Sequence, residues 1–413
     1  MPEIKPFAAI RFDHTRCNGD LSALIAPPYD VLNQAEKDAL LAKSDRNIVA
    51  VDLPHIPPKS AGPPGAYERA ARLLEAHLAD GTLVRENRPA LYVYHQEFEY
   101  GGASFTRRKF FAAIRLAPFS EGSILPHEET FGGPKEDRLA LMKATRCQLS
   151  PILGMFADPG DRVGGAFAGE TARAPDVTAE MGGIQHRLWI VTDAGAIDRV
   201  TSELAEKRIF IADGHHRYGT ALMYRDSVLE RAGGSLAHDH PANYIMFVLA
   251  SMDDPGCLIL PYHRVLAGVD SETVRVAWSE GTAPVSPEDA DVVLFDGRSG
   301  EETALRFSAR DRLREVEPDH CDAWYELDYA YLHRYLIDVL LREALGAPPD
   351  VRYVKSADAA RRTARDESGV GLLVNATTMA QLRNVSEAGE LMPQKSTYFH
   401  PKLATGLAMY PLA

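Results

Sequence analysis

Apolar residues recur along this chain at two periods, and the switch between them marks its elements. The runs ALYVYHQEFEY (90–100) and ASFTRRKFFAAIRL (103–116) are aromatic and β-branched, and Gly101-Gly102 between them suits a tight turn needing positive φ. A β-hairpin is predicted. Before it, a proline-rich loop from Pro54 to Gly65 leads into AYERAARLLEAHLADG, whose helical stripe falls on Leu73, Leu74 and Leu78 and stops at Gly81. After it come a polar loop, a helix from about Pro134 to Arg146 and a strand from about Pro151 to Phe156.

Further on, HRLWIVTD, AGAIDRVTSELAEK and RIFIAD form a β-α-β unit, followed by a helix to about Gly233 and the apolar strand ANYIMFVLASM. From about Leu266 the pattern changes to helix, polar strand and the long apolar helix YAYLHRYLIDVLLREALG. A second β-α-β signature closes it: DVRYVKS, ADAARRTARDE and GVGLLVNAT. The fold class is α/β with mixed sheets. At 413 residues the chain exceeds one hydrophobic core. Three regions are expected: an N-terminal α/β region with the hairpin (1–118), a catalytic core (119–265) and a C-terminal α/β domain (266–413).

Composition narrows the function. A hydrophobic fraction of 45% and a charged fraction of 25% are those of an ordinary globular protein. No secretory signal or membrane-spanning run is evident and the four cysteines show no paired spacing, so a cytoplasmic protein with reduced thiols is expected. A net charge of −13 disfavours reliance on nucleic-acid backbone contacts. The short basic runs Arg107-Arg108-Lys109 and Arg361-Arg362 read as solvated faces.

Two segments concentrate chemistry. In RIFIADGHHRYGTAL, a buried strand ends against Asp213, Gly214, His215, His216 and Arg217 where a helix begins, and a helix N-terminus attracts phosphate. Gly214 lets the backbone approach a ligand, Arg217 offers a planar fork, and the histidines donate hydrogen bonds or accept a proton. Asp213 would repel phosphate unless a cation intervenes, which points to Mg2+ or a substrate amine there. The plainer alternative makes Asp213 an N-cap, with Arg217 paired to a helix carboxylate.

The second segment is LPHEETFGGPKEDRL, with His127, Glu128, Glu129, Lys135, Glu136, Asp137 and Arg138. Lys135 and Arg138 are candidates for phosphate or for a substrate carboxylate. Glu136 and Asp137 read better as solvated first-turn acids complementing the helix dipole. In the final run, MPQKSTYFHPKLATGLAMYPL, the groups Lys395, Ser396, Thr397, Tyr398 and Lys402 could close over a site formed elsewhere, Lys395 to Tyr398 against substrate. A frayed surface strand is the alternative.

ADGHHRY with LPHEET resembles the nucleotide-binding core of the ParB and sulfiredoxin superfamily, in particular its free-serine kinase branch. PPYDVL (27–32), LPHEETF, PKEDRL, ADGHHRYGTAL, LPYHRV and MPQKSTYFHPKL are similar to the hallmarks of a widespread bacterial and archaeal family catalogued as a domain of unknown function, number ten-fifteen. The resemblance implies a ParB/sulfiredoxin-like core. It implies Glu128 as general base with His127 beside it, Asp213 orienting substrate or metal, and Gly214, His215, His216 and Arg217 on the nucleotide phosphates. The implied activity is transfer from ATP or ADP, with Mg2+, to a small hydroxylated amino acid, free L-serine first.

Departures prune that superfamily. His215 stands where sulfiredoxins carry a catalytic cysteine, and no helix-turn-helix reader follows the core. Two other classes remain: a metal-dependent hydrolase or phosphatase built on His127, Glu128, Asp213, His215 and His216, and a nucleotide-binding regulator without turnover. Expected partners are a nucleotide, an amino-acid substrate and a second copy of the chain as homodimer, with neither nucleic acid nor membrane.

Overall fold

The computed structural model describes residues 1–58, 60–128 and 132–413, and the chain divides into two compact units. Glu129 lies outside the described residues. The first unit comprises Met1–Pro126, Thr130–Cys257 and Pro401–Ala413; the second comprises His127–Glu129 and Leu258–His400.

A nine-stranded mixed sheet organises the first unit. Its strands are β1 (Ile4–Lys5), β2 (Leu91–Tyr100), β3 (Ala103–Arg115), β4 (Ile124–Leu125), β5 (Ile152–Phe156), β6 (Val177–Met181), β7 (Ile184–Val191), β8 (Ile209–Asp213) and β9 (Tyr244–Ser251). Their order is β4-β8-β5-β9-β3-β2-β7-β6, with β1 on the end of β3. The predicted hairpin is β2–β3, in register from Tyr100 opposite Ala103 back to Tyr92 opposite Phe111. Gly101 and Gly102 both have positive φ, +59° and +79°, as a turn matching strand twist requires.

Alternation along the strands sorts the two faces of this sheet. Leu91, Val93, Phe110, Ala112, Ile114, Ile209, Ile211, Phe247 and Leu249 pack against helix α3 (Ala194–Leu204) and against Tyr218 and Ala221 of helix α4 (His215–Arg231). The opposite face holds Tyr92, Tyr94, Gln96, Arg107 and Lys109. Arg107 and Lys109 are buried there, both donating to Gln96 Oε1, at 2.6 and 2.7 Å. The expected solvated basic face is thus wrong for these two residues. Strand period 2 turns alternate residues of RRK inward, leaving only Arg108 outside, where it pairs with Asp161 and Asp254.

The first predicted β-α-β unit exists, but β7 and β8 are not neighbours: β2, β3, β9 and β5 separate them. The pattern finds the elements and not their order. Helix α1 (Pro64–Ala79) buries Ala66, Tyr67, Ala70, Leu74 and His77, so the stripe is shifted from the predicted leucines, of which Leu74 alone is buried. Helix α2 (Gly132–Thr145) follows the LPHEET segment as expected. The tail is no frayed strand. Leu403, Ala404, Thr405 and Leu407 to Tyr410 are buried in the first unit, and Tyr410–Pro411 pairs with Cys147–Gln148.

In the second unit a six-stranded sheet runs β11-β13-β12-β15-β10-β14. These are β10 (His263–Leu266), β11 (Thr282–Pro284), β12 (Val292–Asp296), β13 (Glu302–Phe307), β14 (Val351–Val354) and β15 (Val370–Val374). The second β-α-β signature is β14, helix α5 (Ala357–Asp366) and β15, with β10 inserted antiparallel between the two strands. Val265, Phe295, Ala360, Ala364 and Leu373 form the core between sheet and α5. The long apolar helix widens to a π-helix over Tyr331–Leu341. No helix among the described residues is long and apolar enough to cross a membrane.

Candidate functional site

The five-residue strand β8 is apolar through Ala212, and its ladder with β5 slips between Ile211 and Asp213, leaving an irregularity just before the turn. Asp213 ends the strand and Gly214 turns the chain at φ +101°, a conformation that side chains other than glycine rarely adopt. A Cβ at Gly214 would also stand 3.0 Å from the Arg217 guanidinium. Gly214, not Asp213, is therefore the N-cap of α4, and a glycine has no side chain with which to cap the helix.

Asp213 is used differently. Its Oδ1 accepts from Lys402 Nζ at 2.5 Å and its Oδ2 from Arg217 Nη2 at 2.7 Å. Burial by itself would raise the pKa of this carboxyl; Lys402 and Arg217 overcome it and hold the group well below the usual carboxylate range. The cation that its charge called for comes from the tail of this same chain. Arg217 also donates to the Pro151 carbonyl, and Asp213, Asp30, Tyr29 and Asp52 together keep it charged against the cost of burial.

Lys135 lies along the same helix, its Cε 3.1 Å from where a Cβ at Gly219 would stand. Glycine there makes the close approach of the lysine stem possible, and among the described residues no carboxylate pairs with Lys135. His215 is buried and His216 half-buried at the head of the helix. The first unit thus gathers Asp213, Gly214, His215, His216, Arg217, Lys135 and Lys402 about the α4 N-terminus.

Arg138 is also in this unit but committed elsewhere. It donates to Asp137 Oδ2 at 2.6 Å and to the Asp52 carbonyl at 2.6 Å, and its guanidinium stacks 3.9 Å over the Tyr29 ring. Asp137 further accepts from Tyr67 at 2.7 Å and meets His55 Nε2 at 2.6 Å. Its side chain is fully buried, which overturns its reading as a solvated first-turn acid; Glu136 is exposed as expected. Asp52, His55 and Tyr67 were not singled out from sequence. The available signal was an isolated acid and imidazole in the otherwise apolar VAVDLPHIP.

In the second unit His127 and Glu128 meet the MPQKST run. Glu128 bridges Met392, whose amide donates to the His127 carbonyl at 2.8 Å, and Glu128 Oε1 accepts from the Lys395 amide at 3.0 Å. Lys395 holds φ +57°, which aims that amide at the carboxylate. His127 is buried, with Nε2 2.9 Å from Thr397 Oγ1. Ser396 Oγ donates to Pro393 O at 2.5 Å, and Tyr398 starts the strand Tyr398–His400 paired with Leu258–Leu260. His127, Glu128 and Lys395 to Thr397 form one cluster.

Residues 4–305 match the model of a family described as "Protein of unknown function (DUF1015)". The chain belongs to this family. A search of curated proteins gave no match. Among solved structures, the chain is similar to free serine kinase in complex with AMP at 14% identity and TM-score 0.35, over 72% of this chain and 92% of that one. It is similar to a conserved hypothetical protein from Pyrococcus furiosus at 13% identity and TM-score 0.36, covering 72% and 94%. SbnI with C-terminal truncation from Staphylococcus aureus gives 14% and 0.37, covering 73% and 87%. At these scores the likenesses assign neither an activity nor a residue. The family match ends at 305, so Lys395 to Lys402 lie beyond it.

Proposed function

We propose that this protein is a phosphotransferase that uses ATP or ADP, with Mg2+, to convert a small hydroxylated amino acid, free L-serine, into its O-phosphate. The observation that carries the reading is the DGHHR turn, where Gly214 opens the helix at φ +101°, Arg217 and Lys402 flank Asp213, and Lys135 packs against Gly219 further along the same helix. A helix N-terminus with cationic side chains fixed beside it suits phosphate oxygens. For Glu128 the role of base rests on the motif resemblance. In the reaction the serine hydroxyl oxygen bonds to the terminal phosphorus, the bond from phosphorus to the leaving phosphate breaks, and the hydroxyl proton passes to the Glu128 carboxylate.

Both Asp213 oxygens are already engaged by Lys402 and Arg217, and no group of three or more His, Cys, Asp or Glu among the described residues is arranged to hold a metal. A Mg2+ cage made by protein side chains does not fit this turn. The ion belongs to the donor, riding on its phosphates, as Mg2+ commonly does.

Incubation with ATP or ADP, Mg2+ and L-serine, read by phosphorus NMR, tests the proposal. O-phosphoserine is the expected product; its absence with both donors from folded protein removes the reading. Glu128→Gln is expected to abolish transfer and leave nucleotide affinity nearly intact. Arg217→Ala is expected to weaken nucleotide binding by about 2 kcal/mol, with a melting curve taken alongside because Arg217 is buried.

A further inference from the structure

Within the second unit a positive charge is buried with no acid paired to it among the described residues. Arg264 is fully buried; its guanidinium lies 4.5 Å from the Tyr329 ring and 5.4 Å from the Tyr353 ring. It donates to the carbonyls of Tyr262 at 2.8 Å and Lys395 at 3.5 Å, but Nε has no hydrogen-bond partner and no carboxylate among the described residues pairs with it. A buried cation without a counter-ion is costly, and an orphaned buried N–H adds to the cost.

Beside it opens a cavity of about 310 Å3, lined by Trp324, His333, Arg334, Tyr353, Met392 and Gln394 among others. Met392 is the residue that bridges Glu128, so the cavity adjoins Glu128 within the second unit. His333 sits on the π-helical segment, an uncommon geometry that recurs at functional sites. Its Nδ1 is buried without a partner, and burial together with the Arg264 charge brings its pKa down to about 4. No acid lines the cavity among the described residues; nearby, Glu317 and Asp338 pair with Arg334 and Glu390 with His320 at 2.6 Å, while Glu128 takes the Lys395 amide. Arg264 does not itself line the cavity but lies behind its wall, 5.4 Å from the Tyr353 ring, and its charge acts on His333.

We propose that this cavity binds a small carboxylate ligand, the amino-acid acceptor itself, with its carboxylate at the wall of His333 and Tyr353 that Arg264 backs. Naming the ligand as the acceptor rests on the phosphotransferase reading; the claim of a carboxylate site rests on Arg264, His333 and the cavity. Bound there, a carboxylate supplies the missing counter-charge and takes a hydrogen bond from His333 Nδ1 in the tautomer that carries its proton on that atom.

The test is histidine NMR on the full chain without nucleotide, titrated with L-serine and separately with malonate, the His333 signals being assigned by their loss in His333→Gln. Both probes are expected to shift the His333 ring resonances saturably and to raise its titration midpoint, about 4 in the free protein, by about one unit. Arg264→Gln is expected to weaken either probe by about tenfold. The wild-type titration needs no variant, so the proposal stays testable even if Arg264→Gln fails to fold. No saturable shift with either probe overturns it. Malonate binding without serine binding upholds the carboxylate site and overturns the acceptor as its ligand. Binding of both with no phosphoserine formed upholds the site and removes the phosphotransferase reading instead.

Discussion

A carboxylate with no exposed surface must find its hydrogen bonds inside the protein, and Asp137 finds them in His55, Tyr67 and Arg138. Asp137→Ala would strand the Arg138 guanidinium, leaving it only Asp52 and the Tyr29 face. Loss of one member of a buried ion pair costs about 3–5 kcal/mol. Urea denaturation is expected to show a loss of that size, whereas Glu136→Ala, one residue away but exposed, should change stability by less than about 0.5 kcal/mol. Equal, small effects at both positions would mean that the cluster does not form. The sequence around Asp137 could not separate these two acids, because what buries one of them comes from Asp52 to Tyr67, some 70 or more residues earlier.

Elements that close on their own neighbours were legible, and elements that depend on distant partners were not. The hairpin, α1, α2 and α4 follow from period and from Gly or Pro punctuation within single segments. The sheet order does not: β7 and β8 are joined by one helix yet lie four strands apart. The DGHHR turn was readable as an anion corner, but the ion pair that neutralises Asp213 spans 189 residues. From the sequence, Lys402 was one of the tail groups that could close over a site formed elsewhere, with nothing to pick Asp213 as its partner. Its position makes the tail part of the candidate site, and Lys402→Met separates a structural role from a binding one. The expected outcome is a nucleotide Kd about tenfold weaker by calorimetry, since one charge-assisted contact is lost. A lowered melting temperature with unchanged Kd would make the tail purely structural.

For the molecule as a whole, 58 acidic against 45 basic residues mean that acid titration changes charge everywhere, so the contribution of one carboxylate is read only as a difference between variants. Asp213 is suited to that comparison. Its pKa is depressed in the folded protein, because Lys402 and Arg217 outweigh the burial that would raise it. A depressed carboxyl binds its proton more readily in the unfolded chain than in the folded one. The stability it contributes is therefore complete above the ordinary carboxylate range and is lost as pH falls through that range toward the folded value. Asp213→Asn keeps the shape and removes the charge that Arg217 and Lys402 both contact. At pH 7 the variant is expected to be less stable by about 3 kcal/mol. The gap should hold down to about pH 5 and narrow steadily below about pH 4, as the wild type loses what the variant never had. A gap that stays constant from pH 7 to pH 3 would mean that Asp213 is not held charged by Lys402 and Arg217.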